Sequence, residues 1–213
     1  NTPIICICIS TKFSSSMQSA NNAKEMLLED YPDAQIAVID SQINTVLQGM
    51  YVLEACRLRD EGVDYQEAIE RLLNIRESGR IFFTIGDIDY LKHGGRIGKL
   101  AGIAASLLNV KPLITLKEGE IFSSGIVRSR KKSLQKVIEL LIAYMDECNV
   151  NMDTYRLCIG YGYSYEEAEE FKSMALEKLE KYGVKDIKLY QIGATIGVHT
   201  GPYPIGFGII KKA

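Results

Sequence analysis

The residues with the most chemical potential lie in a hydroxyl-rich stretch, Ser10-Thr11-Lys12-Phe13-Ser14-Ser15-Ser16, that follows an apolar run. Between a parallel strand and a helix, such a stretch offers hydroxyls and backbone N–H groups together, which is the chemistry of an anion cradle. Helix capping needs only one of those hydroxyls. On the residues alone, both readings stand. His199 is a second candidate, in Gly197-Val198-His199-Thr200-Gly201-Pro202. It serves either as a satisfied structural residue or as a hydrogen bond or positive charge for a buried anion. A third is the basic run Val127-Arg128-Ser129-Arg130-Lys131-Lys132. Its plain reading is a solvated helix start. Cations at a helix N-terminus oppose the macrodipole, however, which points weakly to an anionic ligand or partner.

Other chemistries fail on spacing. Gly94–Lys99 does not match GxxxxGK[ST], and Leu100 stands where the magnesium-binding hydroxyl belongs. Gly160-Tyr161-Gly162 follows a predicted strand, but Tyr165 takes the third glycine position of a dinucleotide loop. There is no GxSxG elbow. Two histidines leave little for a zinc site built from imidazoles.

Composition narrows the class further. The chain has 213 residues, 46% hydrophobic and 24% charged, enough for a folded core in one large domain or two small ones. Lys plus Arg is 25 and Asp plus Glu is 27, a net charge of −2, so nothing draws the chain in bulk to nucleic acid or an anionic membrane. No stretch reaches the roughly 18 apolar residues of a membrane helix. Neither the basic region nor the cleavage site of a signal peptide is seen. Five scattered cysteines without CxxC spacing read as free thiols, with Cys6 and Cys8 as small buried hydrophobes on one strand face. The expected compartment is a reducing cytoplasm.

The elements that must position these residues follow from periodicity. Residues 4–9 form a near-continuous apolar run, the mark of a parallel strand covered on both faces. A helix carrying Met17, Ala20, Ala23, Met26 and Leu27 and a strand at 35–39 complete a βαβ unit. Helices are predicted at about 46–61 and 65–77, and a strand at 81–85. A hairpin over 111–117 and 120–127 turns near Glu118-Gly119. A helix over 131–147, a strand over 155–160 and a helix opened by the capping box Ser164-Tyr165-Glu166-Glu167 come next. A strand at 187–191 precedes an apolar, glycine-punctuated tail. The expected class is α/β with two α/β domains: a parallel-sheet domain over 1–79, to which the tail 192–213 returns, and a sheet-and-helix domain over 80–191.

Against this background, Tyr90-Leu91-Lys92-His93-Gly94-Gly95-Arg96-Ile97 resembles the YLxKGGRI hallmark of the DegV family. Val110-Lys111-Pro112-Leu113-Ile114, Glu118-Gly119-Glu120 and Val127–Lys132 follow in the family's order. Residues 9–20 resemble its ISSxLSGTYQSA, Ile39-Asp40-Ser41 its VDS, and His199-Thr200-Gly201-Pro202 its HxGPG. The resemblance implies a DegV fold that holds one long-chain fatty acid between its two domains. Some family members are the acyl-binding subunit of a bacterial fatty acid kinase and present the carboxylate to a separate ATP-dependent kinase that makes an acyl-phosphate. No catalysis, cofactor or metal is then expected in this chain itself.

Carried over by position, Ser14 matches the serine that bonds the carboxylate, His199 a histidine near the head group, and Arg128 a basic position at the ligand mouth or kinase-facing surface. The implied ligand-binding set is Ser14, Ser15, His199, Thr200 and Arg128, with Thr11, Arg96 and Gly201 around it. Gly102, Ala104 and Ala105 are small enough to leave room for an acyl tunnel, or for tight helix packing. The chain departs from the family at Ser15 and Ser16, where the family has glycine and threonine, and at Tyr203, where it has glycine. The family's first strand and TSQPS-like loop have no counterpart, so the chain is expected to start within the first domain. Two other classes remain: a dihydroxyacetone-kinase-like substrate domain with a small polar pocket, and a serine hydrolase using Ser14 and His199, for which no orienting acid is identifiable.

Overall fold

The computed structural model describes residues 2–97, 100 and 110–213. Its fold is α/β, with one small parallel sheet, one larger mixed sheet and helices packed on them. Gly102, Ala104 and Ala105 lie outside the described residues.

The β-branched run at the start forms β1 (Ile4–Cys8), which pairs in parallel with β2 (Ile36–Asp40) from Ile4↔Ile36 to Cys8↔Asp40. The crossover between them is α1 (Ser16–Asp30). Contrary to expectation, β1 is not covered on both faces: burial rises along it from Ile4, 51% exposed, to Cys8, 7% exposed. In a sheet of two strands β1 has a single hydrogen-bonded neighbour, and among the described residues the stripe of α1 is not buried either.

Two helices follow, α2 (Thr45–Asp60) and α3 (Tyr65–Arg76). Gly62, at φ 73°, provides the left-handed residue that ends α2, and the Asp64 carboxylate accepts from the N–H groups of Gln66 and Glu67 to cap α3. Then come β3 (Arg80–Thr84), the short α4 (Asp89–His93), and a hairpin of β4 (Lys111–Lys117) and β5 (Glu120–Val127). Glu118 and Gly119, both left-handed, make its turn.

Helix α5 (Arg130–Glu147) is capped by the Ser129 hydroxyl, which accepts from Lys132 N–H. The unit β6 (Tyr155–Tyr161), α6 (Tyr165–Leu179) and β7 (Lys188–Gln191) gives the larger sheet its one parallel pair. Ser164 caps α6 through Glu167 N–H, but the Glu167 carboxylate does not complete the capping box. It takes a bidentate bond from Arg130 instead, at 2.8 and 2.6 Å. That ion pair, with a further bond from Arg130 to the Tyr203 carbonyl, accounts for a cation at the start of α5 without an external anion.

The chain closes with α7 (Ala194–Thr200) and β8 (Ile205–Lys211). The tail strand does not join the small sheet. It lies inside the larger one, whose order is β5-β4-β3-β8-β6-β7. The alternation of β8 explains the placement. Ile205, Phe207 and Ile209 enter a core shared with α5 and α6. Gly206 and Gly208 face the other way, and a Cβ at Gly208 would already sit 3.1 Å from Leu47 Cβ of α2. Glycine therefore lets α2 approach the sheet. Leu47, Tyr51 and Leu58 of α2 and Leu72 of α3 are fully buried there, and each contributes about 1.5–3 kcal/mol of transfer free energy.

Candidate functional site

Residues 10–16 leave β1 at the edge of the larger sheet. Ser10 is fully buried and donates to the Gly119 carbonyl at 2.7 Å. The Thr11 hydroxyl is spent on the Asp40 carboxylate at 2.8 Å. Ser14 Oγ accepts from Ser16 N–H at 3.1 Å, so one hydroxyl serves local capping, while Ser15, the N-cap of α1, makes no side-chain cap bond. The Ser14 hydroxyl still has its own proton to donate.

His199 approaches from α7. Its ring lies directly on Gly94, where a Cβ would fall 2.0 Å from Nδ1. Among the described residues, its buried Nδ1 has no hydrogen-bond partner. The glycine pair of the 90–97 motif thus has two separate physical roles. Gly94 makes room for the imidazole, and Gly95, at φ 65°, turns the chain. That turn delivers Arg96, which donates from Nε to the Phe13 carbonyl at 3.3 Å and from Nη1 to the Gly94 carbonyl at 3.0 Å. Arg96 so ties the hydroxyl loop to the loop that supports His199.

These groups meet around one inner cavity of about 180 Å³, lined by Ser14, Arg96, His199 and Thr200 together with Asn44 and an apolar wall that includes Phe83 and Ile196. Thr200 is buried, with its hydroxyl donating to the Ile196 carbonyl. Outward, through Ser14 and Arg96, lies a polar vestibule of about 380 Å³ that also holds Thr11, Lys12 and Ser15. Inward the surroundings turn apolar. A crevice of about 50 Å³ shares Phe83 and Ile196 with the inner cavity and is bordered by Gly160, Gly206 and Gly208. On the solvent side, a wide open cleft of about 790 Å³ shares Ile9 and Ile196 with the inner cavity and runs along Ile7, Val46, Met50 and the exposed Leu53.

Of the residues expected at the site, Ser14, His199, Thr200 and Arg96 line the inner cavity, and Thr11 and Ser15 only the vestibule. Gly201 is buried against the Tyr90 ring, outside the lining. Arg128 is exposed just past the end of β5 and lines none of these cavities. Sequence reasoning missed Asn44, Phe83 and Ile196. Nothing in their types or spacing singled them out.

Chemically, the inner cavity is a donor site that opens onto hydrocarbon-like walls. Among the described residues no Asp or Glu lines it, so none there orients Ser14 and His199 as a nucleophile and base. Among the described residues, no group of three or more His, Cys, Asp or Glu converges as a metal site would require. The buried thiols of Cys8 and Cys158 are not poised either. Burial pushes Cys8 up to about 11 and Cys158 up to about 12, far from the reactive range. No helix is long and apolar enough to cross a membrane among the residues described.

Comparison with known proteins gives a consistent picture. A family model described as an uncharacterised protein of the DegV family matches residues 1–212. A DegV domain-containing protein of Clostridium perfringens, CPE0304, is 30% identical over 210 residues, covering 99% of this chain and 71% of its own length. A stearic-acid-binding protein from Eubacterium ventriosum has a solved structure with TM-score 0.89 and 44% identity, covering 99% of this chain and 71% of that one. A fatty-acid-binding DegV family protein from Thermus thermophilus superposes with TM-score 0.84 at 26% identity, over 98% and 71% of the two chains.

Proposed function

Because the chain belongs to the DegV family, we propose that it binds a long-chain fatty acid, with the carboxylate held by Ser14 and His199 and the acyl tail in the apolar cleft beyond Ile196. The observation that carries this reading is the junction itself. One small cavity gathers the Ser14 hydroxyl, the Arg96 guanidinium and the His199 imidazole, and it shares Ile9 and Ile196 with a much larger, mostly apolar cleft. A buried carboxylate is expensive unless several donors satisfy it, and charge-assisted bonds are the strong ones. The tail contributes by burial, at about 0.8 kcal/mol per methylene. A small carbonyl ligand has no use for an apolar cleft of this size, which favours the fatty acid over the dihydroxyacetone-kinase-like alternative.

In this reading the chain is a bacterial, cytoplasmic carrier without catalysis or cofactor of its own. A separate ATP-dependent kinase phosphorylates the presented carboxylate. Ser15 and Thr11 shape the outer vestibule, through which the carboxylate is reached, and Thr200 buttresses the inner wall. Arg128, exposed and outside the cavity lining, belongs to a partner-facing surface. The likeness to a stearic-acid-binding protein supports the ligand class.

The test is to denature the purified protein, extract it with organic solvent and identify small molecules by mass spectrometry. A long-chain fatty acid near one equivalent is expected. Recovery of a small polar carbonyl compound in its place would overturn the reading.

A further inference from the structure

We infer that Ser10 and Gly119, 109 residues apart in sequence, act together as a positioning clamp that sets the Ser14 head-group cradle. The inference rests on the fatty-acid reading. Every polar group of Ser10 is engaged. Its N–H donates to the Ile43 carbonyl at 3.0 Å and its carbonyl accepts from Phe13 N–H at 3.0 Å. Its hydroxyl accepts from Lys12 N–H at 3.2 Å and donates to the Gly119 carbonyl at 2.7 Å. The side chain is fully buried.

Gly119 answers it from the tip of the β4–β5 hairpin. It sits at φ 80°, and a Cβ there would lie 2.7 Å from Ser10 Oγ and 3.6 Å from Lys12 Cγ. Both the left-handed backbone and the close approach therefore require glycine. The clamp joins a loop leaving the small sheet to a hairpin of the larger one. Ser14 follows four residues after Ser10, and Ile121 follows two after Gly119. Both line the inner cavity. One contact thus fixes the separation of two of its walls. Arg96, bonded to the Phe13 carbonyl, holds the same loop from the other side.

A residue that only stabilises the fold would weaken every ligand alike. A residue that positions the head-group donors controls discrimination between a carboxylate and a neutral end group. The experiment measures dissociation constants for octadecanoate and octadecanol in the wild type, Ser10→Ala, Gly119→Ala and the double variant, with thermal melting to verify folding. Hydrogen bonds to a charged group predict that the wild type prefers the acid by at least about tenfold. Each single variant should lose most of that preference while octadecanol binding stays within about twofold of wild type. In acid preference the double variant should match Ser10→Ala rather than fall further, because removing Ser10 Oγ removes the atom that the new Cβ meets.

An unchanged preference in both folded single variants overturns the clamp and leaves the fatty-acid reading intact. A parallel fall in acid and alcohol binding also overturns it, in favour of a purely structural contact. A wild type that binds neither lipid overturns the parent reading and the clamp with it.

Discussion

Gly94→Ala isolates the contribution of His199 by a change at a neighbouring residue. The backbone at Gly94 is helical, with φ −72° and ψ −5°, so alanine adopts it without strain and reduces unfolded-state entropy, a gain of about 0.4–1 kcal/mol. The perturbation is then entirely at the contact. The added Cβ would lie 2.0 Å from His199 Nδ1, 2.9 Å from Cε1 and 3.1 Å from Cγ, so the imidazole must leave its place. Overpacking of this kind costs about 1–3 kcal/mol, which leaves a net stability loss of roughly 0–2.5 kcal/mol after the entropic gain. Displacing a donor from a carboxylate costs about 1.5–3 kcal/mol of binding, or roughly 10- to 150-fold in affinity. Gly95→Ala is the matched control. At φ 65° it strains the backbone by about 1 kcal/mol, yet its Cβ meets nothing within 4 Å. Competition against a fluorescent fatty acid, with urea melts alongside, should show Gly94→Ala losing affinity and Gly95→Ala mainly losing stability. Wild-type affinity in folded Gly94→Ala, or equal affinity losses in both variants, would refute the placement of His199 at the head group.

Three further outcomes follow from the same geometry. Glu54 is fully buried; burial alone raises its carboxyl pKa, but the Ala213 N–H, Arg156 and Arg57 outweigh that and hold it below the usual 4.5. A lowered folded-state value stabilises the fold above 4.5 and is lost as pH falls through it. The stability gap between wild type and Glu54→Gln in urea melts should therefore be full near neutral pH and should close as pH falls below 4.5 through the lowered folded-state value. In Gly206→Ala, the Cβ would come 2.1 Å from the Phe82 carbonyl oxygen on the neighbouring strand, so thermal melting should show a loss of about 3 kcal/mol or more. Alkylation at about pH 8 followed by peptide mapping should label the exposed Cys148 first, and Cys158, buried with its thiol pushed up to about 12, only after unfolding.

What was legible in the sequence was local. The hairpin turn at Glu118-Gly119 and the serine half of the capping box at Ser164 are decided within a few residues, and the structure has each. The hydroxyl loop and the Gly94-Gly95-Arg96 turn were legible as chemistry for the same reason. What was not legible depends on distant partners. The tail could be read as apolar and glycine-punctuated, but only the demands of Leu47 on one side and the α5–α6 core on the other place β8 between β3 and β6. Glu167 reads as a capping residue until Arg130 arrives from α5 and takes its carboxylate. Gly119 reads as a turn residue, while its closest steric constraint is Ser10, 109 residues away in sequence. Phe83 and Ile196 read as core, and their role in lining the cavity follows from the packing of α7 against the site.

The central claim is that Ser14 and His199 hold a fatty-acid carboxylate, and titration of delipidated protein with octadecanoate tests it most directly. The expected result is saturable one-to-one binding in the wild type, weakened about tenfold or more in each of Ser14→Ala and His199→Ala, with both variants folded. Wild-type affinity in both variants would contradict it, and so would the absence of saturable binding in the wild type.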